Sequence, residues 1–303
     1  MVGRTDVDAT RMSEAQAAAL RRKYSRRHAG ARIGVYVAAI VVAVVSAGPF
    51  LWSAITAFKQ NRDLYNADNN PFLFNRPATP DHMTYLFTDT QFLTFAWNTL
   101  WVGVLVVLIT LAFALPAAYA LARLDRPWSG PLGIAIFLVY LIPPSLLFLS
   151  LSRVVVGLGL QDSTWSMVLV YPTITIPVSV WLLMGFLRSV PRDVEEQAMV
   201  DGYSRLGAFA RAVVPLVFPG IVAVVVFAFT LTASEFIYAL AFVSPPAQMP
   251  VSTGVPTELI RGDVFFWQSL QAATVLVAVP IAFVFNLFLD KFIAGFTAGA
   301  VKG

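Results

Sequence analysis

The chain contains no cysteine, which removes disulfides, thiolate metal sites and cysteine nucleophiles together. Histidine is almost as scarce: His28 and His82 are too few and too far apart for a histidine-rich metal centre. Charge is also in short supply. Of the 303 residues, 13% are charged and 58% hydrophobic, whereas a soluble domain carries about a quarter charged residues. No G-x-x-x-x-G-K-[ST] phosphate loop or other nucleotide motif occurs, so the chain has no means of its own to use ATP. With a mean hydropathy of +0.72, lipid is the solvent this composition suits.

What is present is long apolar sequence. Six uncharged stretches stand out: Ile33–Phe58, Phe92–Ala122, Trp128–Ser152, Ser163–Leu187, Ala212–Ser234 and Val264–Leu289. Each exceeds the roughly 20 residues a helix needs to cross the hydrocarbon, and helices satisfy their own backbone there. The expectation is therefore an all-α integral membrane protein with six spanning helices, the fifth continuing past Glu235 to about Val243. With the N-terminus placed in the cytoplasm, 16 of the 21 basic residues fall on that side, a bias of the positive-inside kind. Both termini are then cytoplasmic, and the sequence pI near 9.5 reflects topology rather than nucleic-acid binding. The first span is too long, and preceded by too much polar sequence, for an export signal. The basic head "RRKYSRRH" reads as an anchor beside anionic lipid headgroups.

The organisation expected is a basic segment 1–32, a membrane domain 33–295 and a tail 296–303. Loops are expected over Lys59–Gln91, whose Asn, Pro and Asp content signals turns, over Arg153–Asp162, and over Ser244–Asp263. The short link Arg123–Ser129 makes the second and third spans neighbours. No internal repeat or low-complexity tract is evident.

The segment "EEQAMVDGYSRLGAFARAVVPLVFPG", Glu195–Gly220, is polar and helix-like between two apolar stretches. Val190-Pro191 ends the fourth span, since proline disfavours helix at the residue before it. Asp193 is expected to cap a short helix with Glu195 and Glu196 in a first turn that suits carboxylates, and Val194 and Ala198 share a face. Asp201-Gly202 supplies a bend. Ser204 caps a second helix with Leu206, Phe209 and Val213 on one stripe, and Pro215 and Pro219 mark re-entry into the membrane. Such a bent knob suits a socket on another protein; the alternative is an amphipathic loop packed on its own bundle.

This segment resembles the EAA loop of membrane subunits of ATP-binding cassette importers, roughly E-A-A-x-x-x-G followed by a hydrophobic residue and x-L-P. Glu196, Gln197, Ala198 and Gly202 match, with Asp201 before the glycine, Phe209 in the second helix, and Val214-Pro215 for the usual Leu-Pro; Gln197 departs from the pattern. Together with "LIPPSLLFLSLSRVVVGLGLQDS", "SEFIYAL" and "GFTAGAVKG", the chain is similar over roughly Phe92–Gly303 to the second permease subunit of maltose-type carbohydrate importers, a trehalose-type importer being the nearest kind. The resemblance implies a type I importer permease fold with a cytoplasmic coupling helix. It also implies partners: a dimer of cassette ATPases, a second homologous permease and an extracytoplasmic sugar-binding protein, in a lipid membrane. ATP and Mg would be used by the ATPases, with no cofactor on this chain. Glu195, Glu196, Ala198, Asp201, Gly202, Phe209 and Pro215 would form the ATPase-coupling segment.

The sugar path is less marked. Glu235 is a carboxylate far along the fifth span, and intramembrane acids tend to face a cavity or partner; the alternative is a hydrogen bond to neighbouring helices or to the partner permease. The family's W-N-E-F is Ala233-Ser234-Glu235-Phe236 here. Tyr238, Asn98, Tyr140 and Tyr171 are further candidates for sugar contact, or packing residues. The tail is expected to touch the ATPases or to fray, and Ser244–Asp263 to meet the binding protein or to act as a tether. A secondary transporter not driven by ATP is the rival reading, disfavoured by the absence of an evident repeat. A membrane enzyme would need a nucleophile–base or metal cluster that two scattered histidines do not supply.

Overall fold

A computed structural model describes the backbone of residues 14–124 and 126–300, and the side chains of residues 32–124 and 126–288. Residues 1–13 and 301–303, and the side chains of the basic head and the glycine-rich tail, lie outside the described residues. The chain divides into two units, one ending at Ile55 and one starting at Thr56. The first is helix α1 (Glu14–Ala57) up to that point, and its stretch Arg32–Ala57 is long and apolar enough to cross a bilayer.

In the second unit, two short helices, α2 (Asn61–Leu64) and α3 (Asp81–Thr88), lead into α4 (Phe92–Arg123). At 1.5 Å per residue α4 extends about 48 Å, and both hydrophobic clusters are threaded on it. Near its start, Phe92, Phe95, Val102 and Val106 pack with Tyr171, Tyr238, Phe242, Val255 and Leu259. Near its end, Ala114, Ala118 and Leu121 pack with Val180, Leu183, Leu187, Val213 and Val224. Small residues at the second site let α4 lie close to the helix carrying Val180–Leu187. Between the clusters the hydroxyls of Thr110 and Thr175 meet at 2.6 Å, fully buried.

After α4 come α5 (Ser129–Tyr140), packed against α4 as the short link requires, and α6 (Pro144–Gly157). Then follow α7 (Thr164–Val170) and α8 (Pro172–Ser189), which together make one span. Beyond them lie α9 (Arg192–Val200), α10 (Arg205–Ala208), a π-helical turn Phe209–Val213, α11 (Val214–Leu216), α12 (Phe218–Ser234) and α13 (Ile237–Phe242). The chain closes with α14 (Val251–Leu259), a hairpin of β1 (Ile260–Arg261) and β2 (Val264–Phe265), and α15 (Trp267–Ala300).

Among the described residues, four helices are long and apolar enough to cross a bilayer, and the count reaches the six expected if each of two bent pairs, α5 with α6 at 88° and α10–α11 with α12 at 75°, is taken as one span. The uninterrupted helix expected over Trp128–Ser152 fails at Ile142-Pro143-Pro144, because neither proline donates a backbone hydrogen bond and each restricts the residue before it. The second bend lies at Val217, between Pro215 and Pro219. Pro215 would press on the carbonyl of Arg211, and the wider π turn just before it gives that ring room. The same span continues beyond Glu235 to Val243 only after a further break at Glu235-Phe236.

Three expected loops contain helix. Arg153–Gly157 is the end of α6. Lys59–Gln91 contains α2 and α3. Ser244–Asp263 contains α14, whose Thr253, Gly254, Val255 and Leu259 are buried. Gly254 makes that burial feasible: a Cβ there would stand 2.6 Å from the Phe95 ring.

Candidate functional site

The polar segment forms a two-helix knob between α8 and α12. Val190 is extended before Pro191, as the proline demands. Pro191, not Asp193, occupies the N-cap of α9 and makes no side-chain cap; Asp193 and Glu195 sit in the first turn. At the other end Gly202 takes φ +94°. Its N–H donates to the Met199 carbonyl at 3.1 Å and the Tyr203 N–H to the Ala198 carbonyl at 3.1 Å, the paired bonds of a Schellman cap that favours glycine. Ser204 then caps α10, its hydroxyl accepting from the Gly207 N–H at 3.2 Å. The expected bend and second cap are thus present.

The knob has two faces of different character. Glu196, Asp201, Gly202 and Pro215 are exposed, and Phe209 is half-buried against the Tyr119 ring at 4.2 Å. Glu195 and Ala198, expected among the residues a partner would touch, are buried. Leu206 does not share a stripe with Val213: it is exposed while Val213 is buried, because the π turn between them interrupts the 3.6-residue period. Val200, Leu206, Met199 and Tyr203 form an exposed, largely apolar tip around the Gly202 bend.

Beneath the tip, Glu195 is the centre of a buried cluster. Arg123, the last residue of α4, pairs with it at 3.1 Å from Nε to Oε2, and donates from Nη1 to the Val190 carbonyl at 3.1 Å. The Tyr119 hydroxyl donates to Glu195 Oε1. Arg205 lies 3.8 Å from the same oxygen, with its own side chain largely exposed. Sequence reasoning missed Tyr119 and Arg123, although their i, i+4 spacing at a helix end puts both on one face.

A second site lies where the spans break. A cavity of about 420 Å³ is lined by Tyr140, Pro143, Pro144, Thr173, Ser234, Glu235 and Tyr238 with several aliphatic side chains. Three of the five path candidates, Tyr140, Glu235 and Tyr238, come together here; Asn98 and Tyr171 do not line it. Asn98 instead donates its amide to the Ala247 and Met249 carbonyls, both at 3.0 Å, and accepts from Trp101 at 3.3 Å. Tyr171 is buried with no hydrogen-bond partner for its hydroxyl among the described residues. The N–H groups of Tyr238 and Ala239 donate to the Glu235 carboxylate at 3.0 and 3.2 Å, while its backbone carbonyl accepts from Ser252 of α14. Thr173, Ser234 and the Pro143-Pro144 break were not foreseen as lining, since only the fold brings them to Glu235.

Residues 98–297 match the family described as binding-protein-dependent transport system inner membrane component. A sulfoquinovosyl glycerol transport system permease of Agrobacterium fabrum is 32% identical over 271 residues, covering 88% of this chain and 93% of that protein. A diacetylchitobiose uptake permease of Streptomyces coelicolor is 30% identical over 275 residues, covering 90% and 98%. A trehalose/maltose transport permease of Thermococcus litoralis is 28% identical over 276 residues, covering 90% and 97%. Among solved structures, a chain of a bacterial ABC transporter that imports the acidic polysaccharide alginate superposes with a TM-score of 0.71 at 17% identity, covering 88% of this chain and 98% of that one.

Proposed function

Because this chain belongs to the family of binding-protein-dependent transport system inner membrane components, as a carbohydrate importer permease with the type I permease fold, we propose that it couples ATP hydrolysis by partner subunits to the import of a disaccharide-sized glycoside. It is a transport subunit and not an enzyme. In this reading it shares the translocation path with a second permease, rests on a dimer of cassette ATPases and accepts sugar from an external binding protein. Both termini and the α9–α10 knob lie in the cytoplasm, as the basic-residue bias argues. ATP and Mg are held by the ATPases. Trehalose is one candidate cargo, alongside the other glycosides that relatives are named for.

The observation that carries this reading is the exposed apolar tip of the knob. Swinging a two-state equilibrium from 1:99 to 99:1 takes about 5.5 kcal/mol, whereas an exposed ion pair such as Glu196 alone could form contributes about 0–1 kcal/mol. Desolvating Val200 and Leu206 in a socket, at about 1.5–3 kcal/mol for each side chain fully buried, gives a contact strong enough to carry a load of that size from the ATPases. Closure of the ATPases moves the knob and turns the spans between inward-facing and outward-facing states. The cavity at the helix breaks then serves as this chain's share of the path, with aromatic faces and a carboxylate suited to sugar hydroxyls. Its volume lies within the range of small-molecule sites, roughly 300–1,000 Å³.

The test is uptake and ATP hydrolysis by the assembled importer in proteoliposomes with Gly202→Asp. No atom lies within 4 Å of a Cβ placed at Gly202, so the new side chain has room, and its internal cost is the φ of +94° that favours glycine, which a thermal-unfolding control measures. Hydrolysis without uptake is expected. Normal uptake per ATP would remove the coupling role.

A further inference from the structure

Glu195, Arg123 and Tyr119 form a group the proposed function does not use. Glu195 is 4% exposed and Arg123 9%, so both charges are taken out of water. Such a pair is weak evidence for stability, because well-packed apolar residues of similar size often hold a fold as well or better. What the pair does provide is direction. In its last turn, α4 grips three other pieces at once: the α8–α9 junction through the Val190 carbonyl, α9 through Glu195, and the π turn through the ring of Phe209 on Tyr119. Arg205 of α10 approaches the same carboxylate from the exposed side.

The opposite end of α4 is fastened as firmly. Asn98 holds the Ala247 and Met249 carbonyls, and the Val251 N–H donates to the Thr99 hydroxyl at 2.8 Å. From Asn98 to Arg123 is 25 residues, or about 37 Å of helix. A displacement of the knob therefore has one helix, lacking a backbone donor only at Pro116, along which to reach the segment 247–251 on the far side.

We propose that Arg123 and Glu195, with Tyr119, are positioning residues that transmit movement of the α9–α10 knob to α4 and through it to segment 247–251. This rests on the coupling reading above. The tip engages the partner, and the buried triad makes the spans follow.

The test replaces the pair with apolar side chains of similar length, Arg123→Met with Glu195→Met, in the full importer. A purely structural role predicts an assembled complex with unchanged sugar imported per ATP. The proposal predicts an assembled complex that hydrolyses ATP while sugar per ATP falls about tenfold, the loss expected when about 1.4 kcal/mol of coupling is removed. A ratio within about twofold of wild type overturns it. Should the double variant fail to assemble, Tyr119→Phe decides, since it deletes one hydroxyl from the same carboxylate: a fall of about threefold or more supports the proposal, and no change overturns it. Gly202→Asp runs in parallel. If it uncouples while the triad variants do not, only the triad's role fails; if neither uncouples, the coupling reading itself fails.

Discussion

Truncating the tip of the knob, Val200→Ala together with Leu206→Ala, isolates what a partner contributes. Val200 is 87% exposed and Leu206 76%, so neither holds this subunit together, and its own stability should move by no more than about 0.5 kcal/mol. In a socket the account is different. The two changes delete two and three carbons, at about 0.8 kcal/mol per buried carbon. That amounts to about 4 kcal/mol for a fully closed socket, or about a thousandfold in Kd, and about thirtyfold if the tip is half covered. The assay is titration of the ATPase dimer onto the permease pair in nanodiscs, with thermal unfolding of the pair as control. A Kd shift of less than about threefold with Tm unchanged would refute the reasoning, because the apolar tip would then not be desolvated by the ATPases.

Two other outcomes concern this subunit alone. Gly254→Ala places a Cβ 2.6 Å from the ring of Phe95, itself 1% exposed, and should cost the about 1–3 kcal/mol typical of overpacking; an unchanged Tm would show that Phe95 can move aside. In α2, burial acts to raise the Asp63 carboxyl, but the side-chain and backbone N–H groups of Asn75 and the Lys59 charge outweigh it and hold it below its ordinary value of 3.8. A group depressed in the folded state stabilises above its unfolded pKa and loses that contribution as pH falls through the folded one. Hydrogen-exchange protection of the Asn75 amide, corrected for intrinsic rate, should therefore drop below about pH 4 and lose this dependence in Asp63→Asn; protection that is flat down to about pH 2 would contradict it.

Features set by neighbours in sequence were legible before the fold was known. The stop at Val190-Pro191, the positive φ at Gly202 and the Ser204 cap each follow from residues within one turn. So do the bounds of α4, since an uncharged apolar run ends where Arg123 appears. What escaped was set by distant partners. Glu195 reads as a surface acid until Arg123, 72 positions earlier, is brought beneath it. Asn98 reads as a free amide until the chain returns at Ala247 and Met249. Ser244–Asp263 reads as a loop because Gly254 and four prolines weaken its helical pattern, yet α14 forms because Phe95 is there to receive it. The bends failed for another reason: apolar composition identifies a span, while the Pro143-Pro144 and Pro215/Pro219 geometry decides whether it is straight.

The two hydrophobic clusters on α4 have a consequence for how damage spreads. Phe95 and Leu121 are 26 residues apart along one helix, about 39 Å, and they belong to separate clusters. Lesions at sites that far apart and without shared partners simply add. Truncations in the two clusters should therefore sum in their cost to stability, even though the helix that carries both clusters links the two ends mechanically.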